Sequence, residues 1–278
     1  LKNIAHRHIP RKSLGQFYLR DRDITRRIAA ATPTDIPLLE IGCGDGALTD
    51  ALLSEGRSVI GVEIDPGLAS RLRHRFGANK QFQLVEGNAV KLDWSSLLAD
   101  AEEIAVVGNL PYHLASRILF EVLDRVRTMS KPHIREMVVM VQREVAERIC
   151  APSGGRDYGS LTLLVKYHGD AKYLFTVPAD SFYPKPQVDG GVFRLTFTQP
   201  GRFPNVDYDA FRRVVRGSFT QRRKMLRNAL RSVNDLPDGW LELGFDFRQR
   251  PEQLTFEDYL HLTQELGRLK TSAAVAAV

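Results

Sequence analysis

Over the first two-thirds of the chain, short apolar runs alternate with amphipathic stretches. Runs at 36–41, 58–64, 82–85, 104–108 and 136–141 are nearly continuous in apolar residues, the pattern of strands covered on both faces. Between them the apolar spacing predicts helices at 47–56, 66–76, 114–127 and 143–150. Strand–helix alternation at this interval predicts an α/β fold with a parallel, doubly wound sheet. Two further runs, 172–177 and 191–197, lie close in sequence and predict an antiparallel hairpin at one edge. After residue 198 the character changes. Pro200, Gly201, Pro204 and Asn205 mark 199–206 as a linker. Helical patterns follow at 208–220, 222–233 and 256–269, the last with Leu260, Leu262, Leu266 and Leu269 as core positions, and 273–278 is expected to fray. The predicted organisation is an arm (1–12), an α/β domain (13–198), the linker, and a small all-helical domain (207–278). No internal repeat is present.

Composition narrows the function classes. With 278 residues, 43% hydrophobic and 26% charged, the chain is an ordinary globular sequence and not a disordered one. A net charge of +6 favours an anionic partner, nucleic acid or acidic membrane. Cys43 and Cys150 cannot make a disulfide framework and have no zinc-like spacing around them. A reducing cytoplasm and no metal are expected. The stretch 1–12 is basic but has no apolar signal core, and no apolar run reaches the ~20 residues that span a bilayer.

Residues 38–47, Leu-Leu-Glu-Ile-Gly-Cys-Gly-Asp-Gly-Ala, read as a strand entering a glycine-rich turn and then a helix. Glycines at Gly42 and Gly44 let the backbone turn tightly and approach a ligand. One strand later Glu63 and Ile64 stand at a strand end, about twenty residues on, where a carboxylate meets two ribose hydroxyls. The pattern suits S-adenosylmethionine. Gly42, Gly44 and Ala47 also fit a dinucleotide fingerprint, so a nicotinamide cofactor stays open here. A third strand ends at Asn88 and Ala89, where a polar group can bond the cofactor's adenine, although Gly-Asn is also an ordinary turn.

Directly after the fourth strand comes Asn109-Leu110-Pro111-Tyr112. Adenine's N6 amine is a poor nucleophile because its lone pair is delocalised into the ring. The side-chain oxygen of Asn109 and the carbonyl of Leu110 can each accept one N6–H, which fixes the nitrogen and favours pyramidal geometry. Pro111 stiffens the loop, and Tyr112 offers a ring for the base, a stack worth roughly 1–3 kcal/mol. No catalytic His or Cys is needed, since rate comes from orientation. The competing account is a helix-capping turn with Tyr112 as packing. The proline-rich segment 182–188 is expected to present Phe182 as the opposite wall of the base pocket. A base held this way must be unstacked, which suits single-stranded or loop RNA.

Together these segments resemble the ribosomal RNA adenine N6,N6-dimethyltransferase family, the KsgA-like enzymes of the small subunit. The resemblance also takes in Lys12-Ser13-Leu14-Gly15-Gln16, residues 221–228 (Gln-Arg-Arg-Lys-Met-Leu-Arg-Asn) and residues 250–254 (Arg-Pro-Glu-Gln-Leu). It implies a Rossmann-like methyltransferase sheet with S-adenosyl-L-methionine as cofactor. It also implies dimethylation of two adjacent adenines near the 3′ end of small-subunit rRNA, within an immature subunit, by a monomer. By position, Gln16, Phe17, Leu19, Gly42, Gly44, Glu63, Ile64, Asn88, Ala89 and Asn109 would line the cofactor, and Asn109 to Tyr112 with Phe182 would hold the adenine. Three positions depart from the family pattern. Phe17 stands where Asn or His is usual, Asn88 where Asp is usual, and Gly190 where Ser is usual. Because the replaced contacts are polar, cofactor affinity is expected to be somewhat reduced.

Between 211 and 231 the chain carries Arg212, Arg213, Arg216, Arg222, Arg223, Lys224, Arg227 and Arg231 and no acid. Read as one helix face, Arg223, Arg227 and Arg231 recur at four-residue spacing. Arg212, Arg216, Arg222, Arg223, Lys224 and Arg227 are the expected RNA contacts. Competing expectations are an Erm-like enzyme of large-subunit rRNA, a non-catalytic RNA-binding factor on the same fold, and a dinucleotide oxidoreductase.

Overall fold

A computed structural model describes residues 16–131, 133–198, 202–233 and 236–276. The expected basic arm, and 12–15 of the motif that follows it, lie outside the described residues. Two compact units are present, 16–146 with 170–198, and 147–169 with 202–276.

In the first unit the chain runs β1 (Tyr18–Leu19), α1 (Arg22–Ala30), β2 (Leu38–Ile41), α2 (Ala47–Ser54), β3 (Val59–Glu63), α3 (Pro66–Phe76), β4 (Phe82–Glu86), α4 (Trp94–Leu97), β5 (Glu103–Asn109), α5 (Ala115–Thr128) and β6 (His133–Gln142). Helix α6 (Arg143–Ile149) leads out of it, and the chain returns through β7 (Gly169–Val177), β8 (Phe182–Tyr183) and β9 (Gly190–Phe197). The main sheet has the order β4-β3-β2-β5-β6-β9-β7. Strands β2 to β6 pair in parallel, and β9 runs antiparallel to β6. All four residues of β2 are buried, as a central strand covered by helices on both faces requires. Helix α3 starts where Asp65 accepts from the amides of Gly67 and Leu68, with Pro66 in its first turn.

The strand order reverses between β2 and β5, and this is where a doubly wound sheet opens a crevice at its carboxyl edge. Gly108, near the end of β5, is required by that neighbour: a Cβ there would lie 2.6 Å from the carbonyl oxygen of Ile41.

The short helix α4, helix α1 and a second ladder were not foreseen. Helix α1 carries its own signals, with Asp21 capping it and Ile24 and Ile28 buried on one face. Strands β1 and β8 form a separate antiparallel ladder, Tyr18 opposite Tyr183 and Leu19 opposite Phe182.

The second unit holds α7 (Ser160–His168), α8 (Tyr208–Thr220), α9 (Leu226–Leu230) and α10 (Phe256–Ala276). Residues 147–169 were expected in the α/β domain, but they belong to this unit. Tyr167 of α7 packs its ring against Phe203, Tyr208 and Phe211, with centroids 4.9–5.4 Å away. The run 161–165, apolar but for Thr162, concealed α7, because it is too short and too dense to show a helical period. The expected helix over 222–233 is also corrected. Met225 is extended and α9 begins only at Leu226, since the amides of Leu226 and Arg227 bond to the carbonyls of Gln249 and Phe247. Arg223 therefore lies in the preceding turn and does not share a helix face with Arg227. Helix α10 buries Tyr259, Leu262 and Leu266 and continues to Ala276, past the point where fraying was expected.

Candidate active site

The crevice in the first unit is half-open to solvent, with a cavity volume of about 90 Å³. Its walls come from the segment before α1, the β2–α2 turn, the end of β3 and the β5–α5 loop. Of the residues singled out from sequence, Gln16, Phe17, Leu19, Gly42, Gly44, Glu63, Ile64, Asn109, Leu110, Pro111 and Tyr112 line it.

The glycine turn holds one wall. Gly42 and Gly44 both have positive φ, 76° and 59°, so a side chain at either would be strained. Glu63 braces this turn from β3. One carboxylate oxygen accepts from the Gly44 amide at 2.8 Å and the other from the Asp65 amide at 2.9 Å. Burial raises the Glu63 pKa, while those two amides pull it down. Each carboxylate oxygen has a second lone pair, so the group can brace the turn and still accept from a diol. Ile64, 46% exposed, places an apolar side chain beside it, suited to a flat heterocycle. This combination of a carboxylate, an apolar shelf and a turn open above Gly42 fits an adenosine-bearing cofactor.

Sequence reasoning missed Tyr18, Glu40, Cys43 and Asp45, which also line the crevice. Glu40 is fully buried, accepts from the Thr49 hydroxyl at 2.6 Å, and is pushed up to about 7 by burial. Its signal was an acid inside an otherwise apolar strand. Tyr18 donates to the Gln16 side-chain oxygen at 2.8 Å, and the Gln16 amide donates to Asp65 at 3.3 Å.

The opposite wall is the β5–α5 loop. The Asn109 side-chain nitrogen donates to the carbonyl of Phe17 at 3.0 Å. An amide whose nitrogen is held in this way keeps its oxygen available as an acceptor, and Leu110 lines the same crevice. The Leu110 amide bonds to Met140 at 3.0 Å, which ties the loop to β6. The ring of Tyr112 packs against Phe17, with centroids 5.4 Å apart and planes at 34°. The Tyr112 hydroxyl is buried without a hydrogen-bond partner, and burial together with the Asp189 charge pushes it up to about 12. Tyr112 is therefore a neutral ring at physiological pH.

Three sequence-selected residues stand elsewhere. Phe182 is 5% exposed and packs in the core cluster together with its ladder partner Leu19, and it is not among the residues that line the crevice. The Asn88 oxygen accepts from the Val90 amide at 3.0 Å, so it caps its own loop, and Ala89 is buried beside it. Neither lines the crevice. The third departure, Gly190, stands in a tightly packed place. A Cβ there would sit 3.1 Å from the Met140 sulfur and 3.4 Å from the Phe182 ring.

In the second unit the basic residues divide. Arg222 bonds Glu252 at 2.7 Å and the Gly155 carbonyl at 3.2 Å, and Arg212 pairs with Asp209 at 3.1 Å. Arg216 is exposed. Arg223, Lys224 and Arg227 are exposed and have no carboxylate partner among the described residues.

The geometry can now be set against known proteins. Residues 7–264 match the ribosomal RNA adenine dimethylase family. The chain belongs to that family. It is a methyltransferase of adenine in ribosomal RNA that uses S-adenosyl-L-methionine. It is 39% identical over 268 residues to a ribosomal RNA small subunit methyltransferase A of Pseudomonas aeruginosa, covering 95% of this chain and 97% of that protein. The protein of the same name from Nitrosococcus oceani is 37% identical over 259 residues, covering 92% and 96%. Among solved structures, a dimethyladenosine transferase from Plasmodium falciparum superposes with a TM-score of 0.73 at 25% identity, covering 91% of this chain and 98% of that one. The 23S rRNA methyltransferase ErmE gives 0.65 at 26% identity, covering 91% and 99%. The family membership removes the dinucleotide expectation. Among the described residues no group of His, Cys, Asp or Glu could hold a metal ion, and no helix is long and apolar enough to cross a membrane.

Proposed function

We propose that this enzyme dimethylates the N6 amines of two adjacent adenines in the 3′-terminal hairpin loop of small-subunit rRNA. It acts as a monomer in the cytoplasm, on an immature subunit. The observation that carries the reading is the Asn109 amide. Its nitrogen is engaged by the Phe17 carbonyl at 3.0 Å, so its oxygen and the Leu110 carbonyl are the two acceptors a purine amine needs.

Gln16, Gly42, Gly44, Glu63 and Ile64 hold the cofactor, with Glu63 accepting from the ribose hydroxyls. Bound there, S-adenosyl-L-methionine supplies a methyl carbon already activated by a sulfonium leaving group. The protein's share is to orient the nucleophile. Asn109 and Leu110 take the two N6 hydrogens and turn the nitrogen lone pair out of conjugation. Tyr112 supports the ring by stacking. The proton released after transfer leaves through one of these acceptors to water. Phe182 supports this arrangement from the core and does not touch the base. In the second unit Arg223, Lys224 and Arg227 contact RNA phosphates, with Arg216 beside them, while Arg222 and Arg212 are tied to carboxylates.

The names of the curated relatives support a small-subunit substrate. The likeness to ErmE favours a second reading, a large-subunit one. Labelled methyl transfer separates them. Label is expected in immature small subunits, mapped by nuclease digestion to adjacent adenines; label confined to large-subunit RNA overturns the proposal.

A further inference from the structure

Phe17 touches both residues that the transfer depends on. Its carbonyl accepts the Asn109 side-chain N–H at 3.0 Å. Its ring lies against Tyr112 at 5.4 Å and 34°. It is half-buried, lines the same crevice, and packs against the core cluster that contains Leu19 and Phe182. The residue immediately after it enters the β1–β8 ladder, so its backbone is held on one side by strand pairing.

We infer that Phe17 is a positioning residue for methyl transfer: by seating its ring on Tyr112 it fixes the carbonyl that aims the Asn109 amide, and so couples the base-stacking ring to the amine-gripping side chain. The inference rests on the functional reading above and deepens it. Among the described residues the Tyr112 hydroxyl has no hydrogen-bond partner. Ring packing is then what sets its plane. Aromatic pairs of this kind favour tilted and offset arrangements, and the observed 34° tilt is one of them, so the contact favours this orientation of Tyr112. A base stacking on Tyr112 must use the face that Phe17 leaves open. The same contact anchors the Phe17 side chain in the crevice, which limits how far its Cα, and with it the carbonyl that holds Asn109, can shift. An apolar side chain without a flat face fills the space but gives no such restraint.

A double-mutant cycle with single-turnover methyl transfer tests this, using the full chain and saturating S-adenosyl-L-methionine on immature small subunits. Phe17→Leu keeps apolar bulk and is expected to lower the transfer rate about three- to tenfold, the range for one aromatic pair. Phe17→Tyr is expected to stay within about twofold of wild type on the same scale. In a Tyr112→Ala background, Phe17→Leu should cost less than about twofold, because the coupled partner is gone. Cofactor affinity, read by calorimetric titration without RNA, should change less than about twofold in Phe17→Leu. Equal costs of Phe17→Leu in both backgrounds overturn the inference, as does a loss confined to cofactor affinity. A failure of the wild-type protein to methylate small subunits would instead strike the functional reading, so the two failures are distinguishable.

Discussion

The active-site crevice and the basic segment of the second unit differ in how their chemistry is specified. In the crevice, position along the chain and position in space agree. The glycine turn at Gly42, the acid at Glu63 and the loop at Asn109 sit at consecutive strand ends, and a doubly wound sheet brings strand ends together at its carboxyl edge. Backbone amides then lock the side chains, as Gly44 and Asp65 lock Glu63. In the basic segment a run of like charges without acids looks uniform, yet one acid reaches it from thirty residues on and another from the helical turn just before it. Glu252 reaches Arg222 and Asp209 reaches Arg212. A motif built on backbone geometry can be read locally, whereas a charge run cannot be sorted until its partners are known.

Among substitutions away from the catalytic loop, Glu63→Ala should show the largest effect. Two bracing bonds to a charged group vanish along with the proposed ribose contact. Cofactor affinity should fall about a hundredfold by titration calorimetry, with no dependence on salt. A loss below threefold would place the cofactor elsewhere.

Glu40 should appear in the pH dependence of stability. Its pKa is raised by burial from the ordinary 4.5 to about 7. The folded state therefore keeps a proton that the unfolded chain releases. Its contribution is full below pH 4.5 and is lost as pH rises to about 7. Glu40→Gln should flatten that decline in thermal unfolding; an unchanged slope would mean that Glu40 is not the group responsible.

Reversing Arg223 and Arg227 to Glu should weaken RNA binding by about tenfold or more and reduce the salt slope by about two, leaving cofactor affinity unchanged. Unchanged RNA affinity removes this surface from the account. The smallest effect belongs to Arg222→Ala. Its pair with Glu252 is partly exposed, so stability should fall by at most about 1 kcal/mol while the RNA salt slope stays as it was. A slope change as large as that of the double reversal would return Arg222 to the RNA surface and blur the contrast between the regions.

Much of the fold was legible because central strands must be apolar on both faces, as β2 and β5 are, and because caps such as Asp65–Pro66 mark helix starts. Helix α7 was hidden because 161–165, apolar but for the buried Thr162, is too short and too dense to show a helical period, and it joins the second unit through contacts of Tyr167 that lie far apart in sequence. In the crevice, the acceptors at Asn109 and Leu110 followed from the chemistry of an amine. The burial of Phe182 did not, because it depends on a ladder of two two-residue strands, neither of which has a pattern long enough to detect. Phe17 looked like the loss of a polar contact. Its carbonyl and ring also meet Asn109 and Tyr112, which a reading of side-chain polarity does not reveal. At Gly190, likewise, Met140 and Phe182 crowd the position, which no local motif reveals.

The account depends most on Asn109, and single-turnover methyl transfer by Asn109→Ala at saturating cofactor and RNA measures that dependence without intermediaries. A slowing of at least about a hundredfold is expected, the scale for removing one preorganised group that acts on developing charge, with both binding affinities nearly intact. A rate equal to that of the wild type would contradict the account.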